Sequence, residues 1–120
     1  MSLYQDRILD HYHHPRHFGT LEHKTGSAEA LNPTCGDRLA MDIRIEDARI
    51  GDIAFSGAGC AISLASASLL SEHVSGMSRD EALALEPQDV LKLLEVSLSP
   101  GRLKCGILSL EVLKKALHNT

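Results

Sequence analysis

The residues of this chain with the widest chemical range are its three cysteines, Cys35, Cys60 and Cys105. Their odd number and wide spacing do not suit the dense, paired framework of a small secreted disulfide protein. They read as thiols kept reduced in a cytosolic setting, where each is an inert core residue, a metal ligand or a nucleophile. A free cysteine in the core sits inside the apolar periodicity; these three do not. Cys35 lies in the polar turn Asn32–Pro33–Thr34–Cys35–Gly36–Asp37. Cys60 follows Gly57–Ala58–Gly59 and begins a helix. Cys105 lies early in the last helix beside Arg102 and Lys104. A helix N-terminus and nearby cations both favour the thiolate, the form that binds metal or attacks sulfur, and glycines let backbone approach a bound ion closely.

Asp37, two residues after Cys35, is the natural fourth ligand; the alternative is a turn or cap residue in a Gly-Asp turn. Three thiolates and a carboxylate carry a formal charge of about −4, which either Zn²⁺ or a [2Fe–2S]²⁺ cluster reduces to about −2. The bookkeeping fits both occupants equally. Arg102 and Lys104 would offset the remainder. Arg102, three residues before Cys105, shares its helix face. Lys104 points about 100° away and is expected at the edge of the site or against a partner.

Elements must position these groups. Residues 3–13 place Leu3, Ile8, Leu9 and Tyr12 on one helical stripe, ended by Pro15. A strand is expected near Ala28–Leu31. Leu39, Met41, Ile43 and Ile45 alternate with polar or small residues, the period of a strand with one buried face. Residues 49–56 form a second strand, in which Ile50 falls out of phase with Ile53 and Phe55, so a bulge or turn is expected at Gly51. The short link Glu46–Asp47–Ala48 suits an antiparallel hairpin. Helical character begins at Cys60 and ends at Gly76, a C-terminal cap. Ser78 and Glu81 form a capping box for a short helix. Pro87 and Asp89 open another over Val90–Val96, Ser99–Pro100–Gly101 is a turn, and Arg102–His118 is an amphipathic helix. Strands before a run of helices give an α+β class: a small antiparallel three-stranded sheet with helices packed on one face, in one domain over residues 1–120.

Composition removes other classes. Aromatic residues make up 3% and the net charge is −4, so neither a stacking platform nor a basic footprint for nucleic acid is present. No apolar run is long enough to span a membrane, and the charged N-terminus is not a secretory signal. His11, His13, His14, His17 and His23 crowd the N-terminus without the spacing of a zinc finger; a solvated helix end accounts for most of them. Ser66, Ser68 and Ser71 lack the company of a nucleophilic serine and read as small residues that let a helix pack closely.

Four ordered motifs then carry a resemblance that spans Tyr4 to Leu117. The first is Tyr4, Asp10–His11–Tyr12, Pro15–Arg16 and Gly19. The second is Asn32–Pro33–Thr34–Cys35–Gly36–Asp37. The third is Gly57–Ala58–Gly59–Cys60–Ala61–Ile62–Ser63 with Ala65–Ser66–Ala67–Ser68, and the fourth is Arg102–Leu103–Lys104–Cys105. The chain resembles the iron–sulfur cluster assembly scaffolds of the IscU, NifU N-terminal and SufU type. The third and fourth motifs look like the SufU branch. Lys104 stands where IscU proteins carry histidine, and Leu98–Ser99–Pro100–Gly101–Arg102 departs from their chaperone-read Leu-Pro-Pro-Val-Lys segment. The insertion usual in SufU before the last cysteine is missing.

The resemblance implies an α+β fold and one Cys35, Asp37, Cys60 and Cys105 site for zinc, iron or a nascent [2Fe–2S] cluster. It implies sulfur received from a cysteine desulfurase, with Cys35 and Cys105 as candidate acceptors, and delivery to apo iron–sulfur proteins or carrier proteins. Such a protein is a cytoplasmic scaffold rather than an enzyme, a monomer or weak oligomer, with no nucleic-acid or membrane partner. A zinc-dependent sulfurtransferase and a purely structural zinc domain are the alternatives.

Overall fold

The computed structural model describes residues 3–33, 36–95 and 98–120, with backbone alone at 3–5 and 101. Cys35, the Tyr4 side chain and Val96 therefore lie outside the described residues. The order is α1 (Leu3–His13), β1 (Gly26–Asn32), β2 (Asp37–Glu46), β3 (Arg49–Ala58), α2 (Ala61–Val74), α3 (Arg79–Leu83), α4 (Pro87–Leu94) and α5 (Pro100–His118).

The three strands form one antiparallel sheet in the order β1-β2-β3. The β2–β3 hairpin closes through Asp47 and Ala48, both at positive φ, 53° and 63°. Two such central residues make the type I′ turn whose twist matches paired strands. Ile45 pairs with Ile50 but Arg44 with Asp52, so Gly51 is the extra residue of a bulge. The bulge restores the phase, and Ile43 faces Ile53 while Met41 faces Phe55 across the ladder. All four side chains are buried.

That face of the sheet is covered by helices. α5 packs on β1 and β2, α2 on β3, and the two helices also pack on each other. Leu39, Met41, Ile43, Ile53 and Phe55 meet Ala67, Leu70 and Val74 of α2 and Leu108, Val112, Leu113 and Leu117 of α5 in one apolar core. A smaller cluster of Ile8, Ala65, Leu69 and Leu94 fastens α1 and α4 to the far side of α2. Residues 17–19 lie along the outer edge of β3, where Phe55 donates its N–H to His17 and accepts that of Gly19. This covers an edge that would otherwise offer unpaired backbone.

Four boundaries differ from the pattern reading. β1 starts at Gly26, because its seven residues pair in continuous register with β2. α4 starts at Pro87, not Val90: proline suits a first helical position, and Glu86 and Asp89 form a reciprocal cap around it. It ends at Leu94, with Glu95 in the left-handed conformation at φ 58°. Ser99–Pro100–Gly101 is not a separate turn, since Ser99 is the N-cap of α5 and Pro100 its first residue.

Candidate metal centre

The hairpin explains why distant parts of the sequence meet. Arg38, the second residue of β2, pairs with Ala58, the last of β3. Asp37 at the start of β2 therefore lies beside the Gly59–Cys60 segment that leads into α2. Gly59 is required at this contact, because a Cβ there would lie 2.6 Å from Asp37 Oδ1. Cys60 is the N-cap of α2. Cys105 arrives from α5 and is buried at 3% exposure.

The ligating atoms of Asp37, Cys60 and Cys105 all lie within 4.8 Å of one another. Donors around a tetrahedral ion at about 2.3 Å sit about 3.8 Å apart, so small side-chain adjustments close the set. Among the described residues this is the one such His, Cys, Asp and Glu group; the N-terminal histidines do not form a second. The three groups line an open cleft of about 490 Å³ together with Gly36, Ala58, Gly59 and Arg102. Cys60 is a free thiol.

Asp37 is only 3% exposed and is held from two directions. Its Oδ1 accepts the Cys60 N–H at 3.0 Å. Its Oδ2 accepts the Ser63 hydroxyl at 2.5 Å and faces the Cys60 thiol at 3.5 Å. The carboxylate anchors the start of α2, 23 residues away in sequence, while it faces both thiols. Ser63 was not assigned a role from the sequence. Its only local signal is its place three residues after Cys60, the N3 position from which side chains reach back toward a helix start.

Arg102 lines the cleft, whereas Lys104 lines a neighbouring groove with Leu31, Asn32, Pro33, Ile107, Leu108 and Glu111. The 100° offset expected between them on one helix accounts for that division. Because α5 begins at Pro100, Cys105 sits in its second turn, where the helix dipole acts less than at Cys60.

The α2 serines do more than permit close packing. Ser66 donates to the Gly106 carbonyl at 2.6 Å and meets the Ser109 hydroxyl at 2.8 Å. Ser68 meets His11 Nδ1 at 2.7 Å and accepts the Arg16 N–H at 2.9 Å. His11 is buried at 6% exposure, unlike the exposed His13 and His14. Burial and then the nearby Arg16 charge hold its pKa below the usual 6.5, opposed by Glu72 and Asp10. An Asp10–Arg16 ion pair at 2.7 Å completes this α1 corner.

The family described as "NifU-like N terminal domain" matches residues 3–119. The chain belongs to that family. Among its NifU-like relatives, the iron–sulfur cluster assembly scaffold protein IscU of Streptococcus pyogenes serotype M1 is 35% identical over 135 residues, covering 98% of this chain and 84% of that protein. That alignment is longer than this chain of 120 residues, so the relative carries extra residues within the matched span. IscU of Escherichia coli K12 is 36% identical over 118 residues, covering 95% and 91%. A crystal structure from Fervidobacterium islandicum, assigned as an assembly scaffold for the SUF system, superposes with a TM-score of 0.80 at 26% identity over 98% and 96% of the two chains. Among the described residues no helix is long and apolar enough to cross a membrane.

Proposed function

We propose that this NifU-like chain is an iron–sulfur cluster assembly scaffold, with Cys35, Asp37, Cys60 and Cys105 holding a metal ion or nascent [2Fe–2S] cluster as cargo. The observation that carries this reading is the convergence of Asp37, Cys60 and Cys105 within 4.8 Å in an open cleft. Cys35 is two residues from Asp37, so its Cα lies at most about 7 Å from that of Asp37, and it supplies the third thiolate. The set suits the cargo: soft sulfur donors select iron–sulfur clusters and zinc, while one hard carboxylate eases exchange. Cleft access also suits sulfur transfer. A thiolate of Cys35 or Cys105 attacks the outer sulfur of a cysteine desulfurase persulfide; the persulfide S–S bond breaks and leaves a thiolate on the desulfurase.

The chain works as one domain over residues 1–120, in the cytoplasm, as a monomer or weak oligomer. It passes its product to apo iron–sulfur proteins or carrier proteins. A second reading, a zinc-dependent sulfurtransferase of the SufU type, is supported by the Gly59–Ser63 and Arg102–Cys105 motifs and by the likeness to the SUF-system structure. Metal and sulfide analysis with an absorption spectrum of anaerobically purified protein tests the two. Iron and sulfide with visible absorbance support the scaffold, and one colourless zinc per chain supports the transferase.

A further inference from the structure

Ser63 is fully buried, yet its hydroxyl has one proton and faces three acceptors. Asp37 Oδ2 lies at 2.5 Å, the Cys105 carbonyl at 3.2 Å and Cys60 Sγ at 3.7 Å. Its hydroxyl thus reaches all three members of the converged set. We propose that Ser63 is the positioning residue that decides whether Asp37 ligates the cargo, an inference that rests on the ligand set proposed above.

The lone pairs show how. A carboxylate offers about four acceptor positions. The Cys60 N–H takes one on Oδ1 and the Ser63 hydroxyl takes one on Oδ2; together they fix the rotation of the carboxylate. The Cys60 thiol points at Oδ2 as well. An ion held by the Cys60 thiolate would face Oδ2 from the side the thiol now faces, and the Ser63 bond, which approaches Oδ2 separately, could stay in place. Ser63 therefore presents Asp37 to the ion rather than competing with it. Should the carboxylate turn away, the hydroxyl still has the Cys105 carbonyl within reach, so no buried donor is stranded. Ser66, one turn on, donates to the Gly106 carbonyl. Ser66 thus ties α2 to the stretch of α5 that carries Cys105, and Ser63 lies within reach of both sides of the site.

Cobalt(II), titrated anaerobically and read by its ligand-field and thiolate charge-transfer bands, tests this on the whole chain. Ser63→Ala removes one oxygen at no cost in helix propensity. Loss of a bond that orients a ligand should weaken cobalt binding about tenfold and shift the ligand-field bands toward those of Asp37→Ala. In the Asp37→Ala background, adding Ser63→Ala should change neither affinity nor spectrum, because nothing remains to orient. Ser63→Thr, which keeps the hydroxyl, should recover the parent spectrum. Thermal unfolding of the metal-free proteins confirms that all fold. A Ser63→Ala protein that binds cobalt like the parent refutes the assignment, as does an equal loss in both backgrounds, the mark of a purely structural role. A parent protein that takes no cobalt instead overturns the ligand set itself.

Discussion

Replacing Gly59 with alanine separates the architecture of the site from the stability of the fold. The added methyl would lie 2.6 Å from Asp37 Oδ1, 2.8 Å from its Cγ and 3.0 Å from its Cβ. All three are at or below the closest approach that real side chains tolerate, and Cβ moves only with the strand, so the Asp37 carboxylate must swing away. It then loses the Cys60 N–H bond, a hydrogen bond to a charged group worth about 1.5–3 kcal/mol. Alanine returns about 0.4–1 kcal/mol by restricting the unfolded chain, and Gly59 is not among the positive-φ glycines, so no backbone strain is added. The net cost is about 0.5–2.6 kcal/mol, or about 2–10 °C in Tm at this size. Cobalt affinity should fall about 10- to 100-fold, the usual consequence of disturbing a ligand's orientation. Gly76→Ala is the matched control. At φ +84° with nothing near its Cβ, it costs about 1–2 kcal/mol through the left-handed backbone alone, far from the cleft. Differential scanning calorimetry should show comparable losses in the two variants, and cobalt titration a loss only in Gly59→Ala. Equal cobalt affinity in both would refute the claim that Gly59 exists to admit Asp37.

Three further outcomes are expected. Arg102→Ala should weaken cobalt retention about two- to fivefold at low salt, the scale of an exposed charge contact, and lose that effect as salt is raised; Lys104→Ala should leave retention unchanged and slow only desulfurase-dependent sulfur uptake. Chelation should leave the far-ultraviolet circular dichroism intact, because neither apolar cluster contains Cys60 or Cys105; unfolding on chelation would make the metal structural. Stability should fall as pH drops below about 6.5: the His11 pKa is depressed in the folded state, so the unfolded chain binds the extra proton. A His11→Asn variant should show a flatter Tm against pH between 7.5 and 5.5, and an unchanged slope would remove His11 from the account.

Much of this was readable from residue types. The alternation through Leu39–Ile45 could only be a half-buried strand, and the slip between Ile50 and Ile53 announced the bulge at Gly51. Cys60 and Asp37 were recognisable because glycines and turn residues stood where apolar periodicity should have been. What escaped was whatever depends on a neighbour distant in sequence. The pattern misplaced two helix starts: Pro87 stands ahead of a helix drawn from Val90 and Pro100 inside a turn, although each proline sits at a first helical position. Ser66 and Ser68 looked interchangeable and Ser63 carried no assigned role, since α2 is apolar on most sides. Their separate partners, Asp37, Gly106 and His11, come from three different elements. A hydroxyl shows its role only when the acceptor is in place.

The bulge at Gly51 connects the core to the site. The turn at Asp47–Ala48 pairs Glu46 with Arg49 and Ile45 with Ile50. Continued without interruption, that register would set Ile43 opposite Asp52 and turn the apolar residues of β3 to the wrong face, since a shift of one residue inverts every side chain. The extra residue instead places Ile43 opposite Ile53 and Met41 opposite Phe55, the pairs that α2 and α5 bury. The same one-residue shift runs on to the far end of the ladder, where it sets Arg38 opposite Ala58 and hence Asp37 beside Gly59. The burial that stabilises the sheet therefore also fixes the carboxylate against the start of α2. The sheet residues that determine where Asp37 stands are apolar residues of β2 and β3 that never touch the cleft.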